Sequence, residues 1–152
     1  MIYTEHFITR SSEKGVVKKL EMKVNILNGG KENSIAFGLT VKPQVDYEKD
    51  ERKNNFYNYK YHARNGYIYS QTETSKCFTE KIIKSQPFGT GDIVSLCVNL
   101  TSHSATFSKN NKKVGEVYIS KRATEEQQLY PFVSLNTPDA VVRVQFYDKG
   151  KY

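Results

Sequence analysis

Tryptophan is absent from this chain, cysteine occurs twice and proline four times in 152 residues. Each shortage excludes something. Two cysteines, Cys77 and Cys97, with no Cys-x-x-Cys pair and no histidine at ligand spacing, leave neither a disulfide scaffold nor a zinc site. They fit reduced thiols in the cytosol or nucleus, and Cys97, within an apolar segment, reads as a small core residue rather than a reactive nucleophile. No apolar run approaches the roughly 20 residues that a membrane-spanning helix needs. The opening Met1-Ile2-Tyr3-Thr4-Glu5-His6 lacks the basic-then-apolar order of a secretion signal. An intracellular protein, cytoplasmic or nuclear and not inserted in a membrane, is the expectation. Histidine is also scarce: His6, His62 and His103 stand in no nucleophile or metal pattern. Most carboxylates lie beside lysine or arginine, where exposed ion pairs account for them. No catalysis, metal or cofactor is expected.

What the chain has is tyrosine, phenylalanine and positive charge. The 11 Tyr and 8 Phe bring large apolar area, and tyrosine suits a sheet with one wet face because its hydroxyl can stay in water. Lysine and arginine total 23 against 16 acidic residues, a net charge of +7 that favours an acidic partner. The length fits one domain over residues 1–152 with a single core between two layers, and a monomer when isolated.

Alternation of apolar and polar residues, the period-2 signature of a strand with one buried face, runs through most of the chain. It marks Leu20 to Ile26, and after Asn28-Gly29-Gly30, whose residues tolerate positive φ, a second strand from Ile35 to Val41. Residues 43–55 are charged and poor in apolar groups, and read as a long exposed loop. Tyr57, Tyr59 and Tyr61 alternate with Asn58 and Lys60 before Arg64-Asn65-Gly66 turns the chain into Tyr67-Ile68-Tyr69, a tyrosine-rich hairpin. Asp92 to Leu100 reads as a central strand covered on both sides, with Val94, Leu96 and Val98 on one face. Asn110-Asn111 centres a tight hairpin between Ala105–Ser108 and Val114–Tyr118. Leu129 to Leu135 has strand composition, with Pro131 arguing for an edge or a strand start. Ala140 to Tyr147 closes the set with Val142, Val144 and Phe146 inward. Lys121 to Gln128 is at most a turn or two of helix. Short strands divided by turns predict an all-β antiparallel sandwich or barrel.

Four segments in order then resemble the SPRY family: Gly89-Thr90-Gly91-Asp92-Ile93-Val94, Phe107 to Gly115, Leu129-Tyr130-Pro131-Phe132-Val133-Ser134-Leu135, and Val142-Arg143-Val144-Gln145-Phe146. With the earlier strands the resemblance covers about residues 20–146. This chain departs from the family in having Asn111 where glycine is usual, and in lacking the tryptophan of the core or binding face. The resemblance implies a bent antiparallel β-sandwich of concanavalin-like jelly-roll type, whose loops at one end recognise a short peptide or a partner surface, in an adaptor or scaffold. It places the ligand-binding positions at Val41 and Lys42, at Tyr61, which matches by residue type and is either an aromatic anchor or a strand residue packed along Tyr57 and Tyr59, and at Asn136, Thr137 and Pro138, which match by place. The rival reading is single-stranded RNA, held by the basic and aromatic residues interleaved from Arg52 to Tyr61. Against it, the other positive charges are scattered and no RNA-binding motif occurs.

Overall fold

The computed structural model describes residues 2–3, 19–41, 56–73, 77–126 and 129–148. Among the described residues eleven strands and one short helix follow one another: β1 (Ile2–Tyr3), β2 (Lys19–Asn28), β3 (Ile35–Val41), β4 (Phe56–His62), β5 (Tyr67–Glu73), β6 (Phe78–Lys84), β7 (Ile93–Asn99), β8 (Ser104–Lys109), β9 (Lys112–Tyr118), α1 (Lys121–Glu126), β10 (Leu129–Leu135) and β11 (Val141–Asp148). They form two antiparallel sheets, one in the order β1-β10-β3-β4-β5-β6 and the other β11-β2-β7-β8-β9. The sheets face each other as a sandwich. The expected strands, the tyrosine hairpin and a short helix within Lys121 to Gln128 are all present.

Alternation decides what lies between the sheets. Met22, Val24 and Ile26 of β2 and Val94, Leu96 and Val98 of β7 meet Ile35, Phe37 and Leu39 of β3 and Tyr57, Tyr59 and Tyr61 of β4, all buried. Each such side chain taken from water stabilises the fold by roughly 1.5–3 kcal/mol. At the centre, the rings of Phe37, Tyr61, Phe88 and Phe107 pack at steep angles with centroids 4.7–5.9 Å apart. This cluster of smaller rings, edge to face, supplies core volume in a chain without tryptophan.

Three features differ from expectation. β7 is central, between β2 and β8, but only one of its faces is buried; Cys97 lies on the outer face, where its thiol donates to Glu21 Oε2 at 3.0 Å, so it is not a core residue. β6 is a strand without alternation, with every residue but Ile83 exposed, because it forms one edge of its sheet and has little core to face. Pro131 sits not on an edge strand but in β10, between β1 and β3; its missing N–H is tolerated because β1 pairs only with Phe132 and Val133. The charged segment 43–55 lies outside the described residues.

Candidate binding site at the loop end of the sandwich

Antiparallel pairing sorts the connections between two ends. At one end stand the turn from β2 to β3 (residues 29–34), the turn from β4 to β5 (63–66), the loop from β6 to β7 (85–92), the Asn110-Asn111 hairpin and the loop from β10 to β11 (136–140). The residue types needed for tight reversal are in place: Gly30, Gly66 and Gly91 have φ of 79°, 71° and 91°, and Asn110 and Asn111 have φ of 51° and 67°. Asparagine therefore does occupy both left-handed positions of that hairpin.

These loops are tied to one another by side chains. Thr90 Oγ1 accepts from the Gly29 amide at 2.9 Å, Asp139 Oδ2 from the Lys31 amide at 3.1 Å, and Asn33 Nδ2 donates to the Phe88 carbonyl at 2.6 Å. Asn136 Nδ2 reaches Ser34 Oγ at 3.3 Å. Asp92 organises the longest loop, accepting from the Gly89 amide at 2.9 Å and from Asn110 Nδ2 at 3.0 Å, with Lys109 Nζ at 4.0 Å. Desolvation pushes the Asp92 carboxyl up, but the bonds from Asn110 and Gly89 and the Lys109 charge outweigh it and hold the group below its usual value. The loops thus form a cross-braced rim.

Two polar atoms on that rim are left over. Asn33 Oδ1 and Thr137 Oγ1 are buried from water yet have no hydrogen-bond partner. They lie over the Gly29-Gly30 backbone: a Cβ at Gly29 would come 2.5 Å from Asn33 Oδ1, and one at Gly30 would collide with Thr137 Oγ1. The two oxygens thus fill the space that the missing Cβ atoms leave over the glycines. Gly29 and Gly30 were legible in the sequence only as a turn, Thr90 only as part of a motif, and Asn33 not at all; which oxygens remain unpaired depends on the loops across from them.

The positions expected from the sequence divide. Asn136, Thr137 and Pro138 are on this rim. Tyr61 is beneath it, fully buried, its hydroxyl donating to the Gln86 carbonyl and its pKa pushed up to about 12 by burial and by the Asp92 charge. It supports the loop from inside and offers a partner no surface, which corrects its reading as an anchor. Val41 is at the opposite end of the sandwich: it pairs with Leu129, whereas Ile35 pairs with Leu135. Six strand steps, about 20 Å, separate it from Asn136. Val41 is therefore not gathered with Asn136, and Lys42 lies outside the described residues. The same burial takes Tyr57, Tyr59 and Tyr61 away as stacking faces for the RNA reading, since all three point inward. Arg52 to Asn55 are outside the described residues. Among the described residues no group of His, Cys, Asp and Glu could hold a metal ion, and no helix is long and apolar enough to cross a membrane.

Two facing antiparallel sheets with their connections gathered into braced ends define a jelly-roll sandwich of the kind that carries binding sites in its loops. The chain matches the SPRY domain model over residues 20–149, and it belongs to that family of protein-interaction modules. Among solved structures it is similar to the SPRY domain of human HERC1, with 16% identity, a TM-score of 0.59, and coverage of 97% of this chain and 80% of that one. It is also similar to another human SPRY domain (20% identity, TM-score 0.55, 94% of this chain and 81% of that one) and, in fold, to sheep galectin-11 (12%, 0.56, 93% and 95%). Ran-binding protein 9 of Danio rerio is 29% identical over 90 residues, which are 59% of this chain and 13% of that protein. Human Ran-binding protein 9 has the same identity over the same share of this chain, and 11% of its own length is matched.

Proposed function

We propose that this SPRY domain is a noncatalytic module that holds a short peptide, or an extended strip of a partner's surface, on the loop rim formed by residues 29–34, 85–92 and 136–140. The observation that carries the reading is the pair of unpartnered oxygens, Asn33 Oδ1 and Thr137 Oγ1, over a glycine floor. Buried polar atoms are nearly always paired, and a ligand's main-chain amide that displaces either side chain from its glycine would supply the missing donor. Asn136 and Pro138 would border the ligand from the same loop. The net charge of +7 favours an acidic partner, and an intracellular adaptor or scaffold is the setting that fits.

The test is selection of peptides from a displayed random library on the folded domain, with purified Ran, for whose binding those relatives are named, run beside it. Selected peptides should lose about fivefold in affinity with Thr137→Val, the loss of one neutral hydrogen bond, and more with Asn33→Ala and Thr137→Val combined. Their Tm values should stay within a few degrees of the parent. Peptides that bind equally well to the double variant would defeat the proposal.

A further inference from the structure

Seven large apolar side chains stand exposed among the described residues, and four of them, Leu27, Ile93, Val141 and Tyr147, lie on the outer face of the five-stranded sheet. Each is between 41% and 48% exposed. They cluster around Arg143, because register places Arg143 beside Asn25 and Asn25 beside Ile93, in one row across three strands. A groove of about 360 Å³ runs here, and no carboxylate lines it.

The two cations of the groove differ. Lys23 is engaged: its Nζ is 3.6 Å from Glu21 Oε1 and 5.3 Å from the Tyr147 ring centroid. The Arg143 guanidinium has no hydrogen bond or ion pair to any described residue. Asn110 is also spent, on Asp92 and on the Ile93 amide, whereas the side-chain amides of Asn25 and Asn111 are free. One uncompensated guanidinium, two free amides and a collar of apolar side chains make the composition of an interface centre, where arginine and aromatic groups carry most of the binding.

We infer that this face is a second binding surface, distinct from the 29–34, 85–92 and 136–140 rim and adjoining it at the Asn110-Asn111 hairpin, and that its occupant is an extended protein segment with one carboxylate set between apolar side chains. The carboxylate takes the planar fork of Arg143, the segment's main-chain amides take Asn25 and Asn111, and its apolar groups cover Ile93 and Tyr147. A single free charge fits a single carboxylate better than a polyanion. The apolar collar fits a peptide better than a sugar acid.

Three probes are titrated into the 15N-labelled full chain: the blocked peptide acetyl-Leu-Val-Glu-Val-Leu-amide, its counterpart with Gln for Glu, and glucuronate. The Glu peptide should shift the Asn25, Asn111 and Gln145 amide resonances saturably. The Gln peptide should bind about tenfold more weakly, the cost of a charge-assisted bond. Arg143→Ala should abolish the difference between the peptides, Arg143→Lys should restore only part of it, and Thr137→Val should leave it unchanged. No saturable shift, equal binding of both peptides, shifts confined to Asn33 and Thr137, or binding of glucuronate alone would each overturn the inference. Because the two surfaces share no residue, failure here leaves the rim proposal standing, and failure there leaves this one.

Discussion

The Tyr61 ring packs among Phe37, Phe88 and Phe107 while its hydroxyl is donated to the Gln86 carbonyl, so this side chain serves stability. Tyr61→Ala should cost about 3–5 kcal/mol, the range for emptying an aromatic site, and Tyr61→Phe about 1 kcal/mol for the hydrogen bond alone. Urea denaturation measures both; an unchanged midpoint for Tyr61→Ala would place the ring outside the core. His62, on the outer side of β4, is a different case. Desolvation and then the Lys60 charge hold its pKa below the ordinary value, its Nε2 is buried without a partner, and its ring meets Tyr69 edge-on at 4.9 Å. A depressed folded pKa means the fold prefers neutral imidazole. Its contribution is therefore complete above the unfolded value of about 6.5 and is lost as pH falls through the lower folded value. Stability followed by denaturation should decline on acidification from neutrality, and His62→Phe should remove part of that decline. A parallel pH profile for the variant would refute the assignment.

Alternation along β4 shows why a strand is more than its composition. Tyrosine on alternate positions is compatible with a stacking surface or with a core, and pairing with β3 on one side and β5 on the other turns all three inward. Close approach within this pair has its own signature: a Cβ at Gly38 would collide with the Tyr59 carbonyl oxygen and lie 2.8 Å from the Lys60 Cα. Backbone cannot yield as a side-chain tip does, so Gly38→Ala should destabilise by more than about 2 kcal/mol or prevent folding, read as loss of the cooperative thermal transition. In the 85–92 loop, Asp92→Ala strands the Gly89 amide and Asn110 Nδ2 together, and a loss of about 1–3 kcal/mol is expected in the same assay. Asp92→Ala with wild-type stability would show that the brace is ornamental. The β6 edge, FTEKIIK, carries charges among its apolar residues, as edge strands that resist further pairing do.

Across the whole sandwich, the register of β3 with β10 keeps Val41 at one end and Asn136 at the other. Substitutions at the two ends should then act independently on a ligand held at the rim: Val41→Ala should leave its affinity unchanged. Combined with Thr137→Val it should add within about 0.5 kcal/mol, as binding titrations on the two single variants and the double would show. Strong coupling would mean that the ligand spans both ends. The strands from Leu20, Ile35, Tyr57, Asp92 and Ala140, the asparagine hairpin and the family itself were legible in the amino-acid order, because alternation and turn chemistry are local and survive without knowledge of partners. β6 was not, since an edge strand exposed on nearly all sides has no periodicity to show. Nor was the inward turn of Tyr61, the outward turn of Cys97, the separation of Val41 from Asn136, or the gathering of Leu27, Ile93, Val141 and Tyr147 around Arg143. A period of two says that neighbours face opposite ways; which way is inward, and which loops share an end, is set by pairing between segments more than 100 residues apart, such as Asn136 with Ser34, and only the folded chain brings those together.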